Sequence, residues 1–322
     1  MSNKLLIASD SGKFNSKVVF KNEKNELVRE LFRTVKRNEH NDANGINIRY
    51  DSKNFNIGDD TLEPTDDNLD LKKSSPLHKM CTLTMIAKAL KTTGRKNKGE
   101  EVSLMTSMPL MQYFIEERRN EIIECYKGKH EIEADLGEGL EKFEFEITDV
   151  FVVYESGGVV VRHSSDLTGK NVILLDAGGL NVTWLTLTNG KADRNRSGIN
   201  NLGSHSLVSK IQEKVYNATG RTISSADTLA CLNKEFEFRG QNANEVNTLV
   251  KDTFKDVMKD IVSSIYKKVD VTSYEVFFVG GSSTVYREEL TQSLDARAYK
   301  QSDDPIFDHV VGCFSLLEKK VA

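Results

Sequence analysis

The stretch VILLDAGGLNVTWLTL, residues 172–187, sets Asp176, Gly178 and Gly179 between two apolar runs. Apolar runs of strand length on either side of an Asp-x-Gly turn read as a buried β-hairpin. Alone, such a turn is ordinary, because Asp and Gly are favoured in hairpins for purely conformational reasons. A second copy changes its meaning. Residues 5–20, LLIASDSGKFNSKVVF, repeat the plan of strand, Asp-x-Gly turn and strand with Asp10, Ser11 and Gly12. Each copy opens one half of the chain, the arrangement expected of a duplicated pair of α/β domains facing a shared cleft.

The paired turns suggest chemistry. Glycine lets backbone N–H groups approach an anion closely, and converging peptide dipoles suit phosphate oxygens. A carboxylate beside phosphate is repulsive unless a divalent cation lies between them, so Asp10 and Asp176 are candidates to hold Mg²⁺ through its water shell. A third element, EVFFVGGSSTVYREEL at 275–290, runs a buried strand into Gly280-Gly281 and then a helix opening near Ser282. Helix N-termini favour anions and polar ligand edges, and bare glycine backbone lets a flat nucleotide lie against it.

Composition narrows the class. The chain has 322 residues with 44 Lys+Arg, 48 Asp+Glu and a net charge of -4, enough for one large core or two moderate ones. That balance gives no basic footprint for direct nucleic-acid binding. Cys81, Cys125, Cys231 and Cys313 form no CxxC pair and read as reduced thiols. No apolar run suits a signal peptide or a membrane span, so a cytoplasmic protein is expected and the sequons at Asn181 and Asn217 are coincidental.

Along the chain, residues 36–75 are polar and suggest a small peripheral subdomain or a mobile insertion, not a core. Residues 75–94 suggest a largely buried helix closed by Gly94, and 111–128 a helix of mixed surface charge. Strands are expected at 102–105 and 144–153, an amphipathic helix at 206–220, and helix throughout 224–265. Trp184 reads as strand packing behind the second turn.

With its three motifs in this order, the chain resembles the actin, Hsp70 and sugar-kinase ATPase superfamily, and within it the ParM-type bacterial actins that segregate plasmids. IASDSGKFNSKVVF resembles the first phosphate loop, with Asp10, Gly12 and Lys17 at family positions and Ser11 and Asn15 beside them. SLMTSMPLMQYF is similar to the segment in which a strand reaches a proline, here Pro109. ITDVFVVYESGG matches the connecting segment whose glutamate orients the attacking water, placing that role on Glu155. ILLDAGGLNVTW is similar to the second phosphate loop (Asp176, Gly178, Gly179, Leu180, Asn181). NLGSHSLVSKI matches the helix start with Gly203, FFVGGSSTVYREEL the adenosine motif (Gly280, Gly281, Ser282), and FDHVVGCFSLL the C-terminal helix with Gly312. The chain departs from relatives at Lys13-Phe14, at Leu180-Asn181 and at Ser282, where small hydroxyl residues, threonines and a third glycine are common.

The resemblance implies an α/β actin-like ATPase fold with two duplicated ribonuclease-H-like lobes around a nucleotide cleft. Lobe I would be residues 1–170 with the polar subdomain at about 36–76 and a C-terminal helix at 308–322. Lobe II would be 171–307 with a helical subdomain at about 216–270. Asp10 and Asp176 would hold hydrated Mg²⁺, Lys17 and the loop amides the phosphates of ATP or GTP, and Glu155 and Asp176 would serve the hydrolysis. Subunits would stack into filaments that segregate plasmid DNA through a DNA-binding adaptor at the centromere, with no direct nucleic-acid or membrane contact, and hydrolysis would weaken the filament. A monomeric sugar or acid kinase using the same loops is the alternative, and a nucleotide-binding scaffold without hydrolysis a third reading.

Overall fold

The computed structural model describes residues 4–41, 44–59, 72–95 and 98–322. The chain divides into two compact units, one formed by Met1–Ser164 with Phe307–Ala322 and the other by Ser165–Ile306.

In the first unit the opening hairpin is β1 (Leu5–Ser11) and β2 (Asn15–Lys21), extended by β3 (Leu27–Arg33). Short strands follow at β4 (Lys36–Arg37), β5 (Ile46–Tyr50) and β6 (Lys53–Ile57), then the longer β7 (Lys98–Met108), β8 (Gly128–Asp135) and β9 (Leu140–Tyr154). All belong to one nine-stranded sheet in the order β3-β2-β1-β7-β9-β8-β5-β6-β4. Its centre is parallel, β1 with β7 and β7 with β9, which requires crossover connections and cover on both faces. The period-2 alternation of β1 and β2 supplies both faces. Leu5, Ile7, Val18 and Phe20 pack with α1 (Pro76–Thr92), whereas Ala8 and Val19 pack with Val310, Phe314 and Leu317 of the C-terminal helix.

Two expectations shift in this unit. The described part of the polar stretch 36–75 is not a separate body, because β5 pairs antiparallel with β8 through Ile48↔Ala134 and Arg49↔Glu133 and so continues the main sheet. The rest of that stretch, residues 60–71, lies outside the described residues. The helix expected over 111–128 is two pieces, α2 (Leu110–Tyr113) and α3 (Glu116–Tyr126), because Ile115 is extended where it precedes α3. The unit closes with α4 (Gly157–Arg162), and α5 (Ser164–Leu167) leads into the second unit.

The second unit repeats the plan in smaller form. β10 (Val172–Ala177), β11 (Val182–Thr188) and β12 (Lys191–Asn200) form an antiparallel meander. Then come α6 (Ser204–Thr219), α7 (Ser225–Leu232), α8 (Ala243–Tyr266), β13 (Glu275–Val279), α9 (Ser283–Ser293) and β14 (Ala298–Gln301). The sheet order is β12-β11-β10-β13-β14, with β13 parallel to both neighbours. Ile173, Leu175 and Phe278 share one core with Ile211 of α6, Val250 and Ile261 of α8, and Leu290 of α9. The helices of the region 216–270 therefore have no separate core. Trp184 is buried, its indole N–H donating to Arg196 O at 3.0 Å.

Helix does not run unbroken over 224–265. Residues 233–242 leave the helical path, with Lys234 and Asn242 at positive φ, and Asn247 ties the detour down by accepting from Phe238 N at 3.0 Å and donating to Phe238 O at 2.9 Å. Side-chain amides that satisfy backbone groups in this way compete with helical hydrogen bonding. The C-terminal α10 (Asp308–Val321) belongs to the first unit.

Candidate functional site

In the first unit, the end of β1 and the loop to β2 form a tightly wired turn. Gly12 N–H lies 2.9 Å from Asp10 O and 3.1 Å from Asn15 O, and Thr34 Oγ1 donates to Gly12 O at 2.6 Å. A Cβ on Gly12 would stand 2.7 Å from Asn15 O, so only glycine fits without a shift. Below the turn, Ser11 Oγ meets Ser16 Oγ at 3.0 Å and His78 Nδ1 at 2.9 Å, and Ser16 Oγ meets Thr34 Oγ1 at 2.9 Å. The Ser11 hydroxyl is thereby committed to the interior, and its carbonyl accepts from Lys73 Nζ at 2.8 Å.

Asp10 is the electrostatic centre of this turn. Its Oδ1 accepts from Ser107 Oγ at 2.7 Å and from Lys73 Nζ at 3.1 Å, and Lys17 Nζ lies 3.8 Å from Oδ2. Burial opposes its charge, but Lys73 and then Lys17 outweigh that penalty and hold its carboxyl far below the usual range. Lys73, only 5 % exposed, also lies 3.5 Å from Glu155 Oε1. Its own pKa is raised: burial works against the ammonium, and Asp10 and Glu155 overcome it. Lys13 sits near the same groups, with burial pulling its pKa down, Glu155 opposing this and Lys73 adding to it.

Glu155 follows the end of β9, its N–H donating to Met108 O at 2.8 Å across the parallel β7–β9 pair. Ser156 takes a φ of 65°, and the turn delivers Gly157-Gly158 into α4. There α4 meets α10 almost backbone to backbone. A Cβ on Gly158 would fall 1.8 Å from His309 O, and one on Gly312 would fall 1.9 Å from Gly158 O. This contact places Gly312 at a helix crossing and explains its glycine by packing. His309 Nδ1 accepts from Gly158 N–H at 3.2 Å, and burial lowers its pKa to about 4, against a raising influence of Asp10.

The second unit brings its own candidates together. Gly178 N–H donates to Asn181 O at 2.9 Å, Gly203 N–H to Leu180 O at 3.2 Å and His205 N–H to Gly179 O at 2.7 Å, so the turn is clasped by the start of α6. Gly203 is required there, since its Cβ would lie 2.5 Å from Gly179 and Asn181 backbone atoms. Ser282 N–H donates to Ala177 O at 2.9 Å, and its hydroxyl reaches Ser204 Oγ at 2.9 Å. Gly280 has a φ of 88°, and a Cβ on it would come 2.2 Å from Asp176 Oδ1. Asp176, Gly178, Gly179, Leu180, Asn181, Gly203, Gly280, Gly281 and Ser282 thus form one loop cluster.

Sequence reasoning missed Lys73, Ser107 and His309. Lys73 lies in the polar run DLKKSSP, where nothing distinguishes it from Lys72. A signal for the two turns was available: both read Asp-x-Gly-x-x-Asn, Asp10-Gly12-Asn15 and Asp176-Gly178-Asn181, and both close with a glycine N–H on the asparagine carbonyl.

This duplicated plan is the fold of the actin-like proteins, and residues 8–158 match the family described as the N-terminal domain of actin-like proteins. Over its whole length the chain is similar in structure to ParM-type and other prokaryotic actins. The Alp12 filament structure shares 20 % identity, with 100 % of each chain covered and a TM-score of 0.70. The archaeal actin homologue Ta0583 shares 15 % identity over 98 % of this chain and 99 % of its own, with a TM-score of 0.74. Bacillus thuringiensis ParM with ATP shares 17 % identity, with 100 % of each covered and a TM-score of 0.68. No curated protein matches the sequence. Among the described residues no helix is long and apolar enough to cross a membrane.

Proposed function

We propose that the chain is a nucleotide-dependent, filament-forming ATPase of the plasmid-segregating kind. The observation that carries this reading is the repetition of one Asp-x-Gly-x-x-Asn turn, with the same closing hydrogen bond, at the end of the first strand in two sheets of the same plan. Two such turns with glycine backbones suit the phosphates of ATP or GTP, and the 280–282 turn at the start of α9 suits the nucleoside.

The residues present fit a nucleotide and a hard cation. Lys13, Lys17 and Lys73 gather around Asp10 and Glu155, which favours an added anion in the first unit. Asn15 Oδ1 and Ser283 Oγ, one beside each phosphate-binding candidate, are buried without a hydrogen-bond partner among the described residues. Among those residues no group of three or more His, Cys, Asp or Glu could cage a metal, so a divalent ion would draw ligands from phosphate and water. Mg²⁺ held by Asp10 and Asp176 through water would neutralise charge on the phosphates during transfer.

The protein's own work is positioning. The loop amides and Lys17 hold the phosphate oxygens, and Glu155 orients a water in line with the terminal phosphoryl group, since phosphoryl transfer is served chiefly by positioning and charge neutralisation. Subunits stack head to tail, a contact that propagates because it does not close on itself. An adaptor protein bound at the centromere links the filament to plasmid DNA, and hydrolysis weakens the filament.

Light scattering and phosphate release, followed together after mixing the protein with ATP or GTP and Mg²⁺, test this. Scattering that rises with nucleotide and decays as phosphate appears is the expected result. Phosphate transfer without scattering over a wide concentration range would replace this reading with a monomeric kinase.

A further inference from the structure

Lys73 is buried, and a buried lysine without partners is costly because burial penalises the ammonium. Here each of its three protons has an acceptor in reach: Asp10 Oδ1 at 3.1 Å, Ser11 O at 2.8 Å and Glu155 Oε1 at 3.5 Å. Those acceptors come from two places in the sheet, the end of β1 and the end of β9. Lys73 is itself anchored, since its carbonyl accepts from the buried Tyr126 hydroxyl at 3.2 Å, and Tyr126 meets Thr82 Oγ1 of α1 at 3.3 Å. The ammonium is therefore a fixed point.

We propose that Lys73 is a positioning residue that ties Glu155 to Asp10 and sets the direction of both carboxylates before any ligand arrives. Lys17 cannot replace it. That lysine lies 3.8 Å from the other oxygen of Asp10, whereas Lys73 faces Oδ1 and Glu155 together. The inference rests on the proposed hydrolysis for its consequence, since a water-orienting Glu155 works only at a defined angle, but the tie itself is a property of the ligand-free chain.

Two measurements on the full chain test it. Without nucleotide, K73M is expected to lower the thermal midpoint by roughly 5–10 °C, the scale of a broken buried ion pair in a domain of this size. The loss should shrink when Glu155→Gln removes a carboxylate in the same chain, and K73R should recover at least half of it. Strict additivity of K73M with E155Q, or K73R no better than K73M, would overturn the proposal in favour of simple space filling. Should K73M not accumulate folded, K73Q carries the same cycle. With nucleotide, K73M should slow single-turnover phosphate release about 10–100-fold, the range for a misplaced catalytic group. Affinity for a fluorescent ATP analogue should fall by a smaller factor than the rate does, since Lys73 is one of three lysines in the cluster and the loop amides are untouched. The slowing should vanish in an E155A background, and a full further loss there would also overturn the proposal. A wild-type chain that neither binds nor hydrolyses nucleotide would remove the functional proposal, while the nucleotide-free cycle would still decide the tie.

Discussion

The two phosphate-loop candidates share a backbone and differ in what surrounds it. Asp10 pairs in register with Lys17, and at the same slot Asp176 pairs with Thr183. The first aspartate is enclosed by Lys73, Lys17 and Ser107, whereas the second is approached by the bare backbone of Gly280. Duplication preserved the turn, because its closing hydrogen bond and its glycine are local requirements. The side chains diverged, because each turn looks out on different neighbours.

The largest expected effect falls on the first aspartate. Asp10→Ala leaves the buried Lys73 without its carboxylate and should cost about 3–5 kcal/mol in denaturant unfolding. A loss under about 1 kcal/mol would break the picture of an enclosed ion pair. Acid sensitivity should also reside in the first unit. His309 is held neutral in the folded chain, to a pKa of about 4, while the unfolded chain takes up a proton below about 6.5. Stability attributable to it is complete above pH 6.5 and falls as pH drops toward 4, by at most ~3 kcal/mol. Thermal melts of H309Q across that window should show a shallower decline than the wild type, and an unchanged slope would assign the acid loss elsewhere.

Smaller effects sharpen the comparison at the turns. A Cβ meets Asn15 O at 2.7 Å on Gly12 but Asn181 O at 3.1 Å on Gly178. Gly12→Ala should therefore cost about 2 kcal/mol and Gly178→Ala less than about 1 kcal/mol, read from unfolding midpoints. The smallest concerns the register-matched pair. Lys17→Thr gives the first turn the residue of the second and should weaken nucleotide binding about 10-fold in a fluorescence titration, as loss of one charge-assisted contact would. Unaltered affinity would mean that Lys17 serves Asp10 alone.

Sequence by itself determined much of this protein. The two buried hairpins, their Asp-x-Gly turns, the strand ending at Gly280 and the helix after it are local, since side-chain period and turn chemistry are written into adjacent residues. Strands β8 and β12 were not legible, because their charged residues alternate on faces only half covered, as in GKHEIEAD and KADRNRSGIN. The break at 233–242 was hidden because a single asparagine, Asn247, holds it from outside the segment. Only the tertiary structure decided the electrical setting of Asp10. Lys73 is 63 residues away and Ser107 is 97, and a lysine in a polar run looks like its neighbours until packing buries one of them. Local patterns specify elements through short-range sterics, whereas an ion pair between segments exists only where the packed core brings the charges together and excludes water.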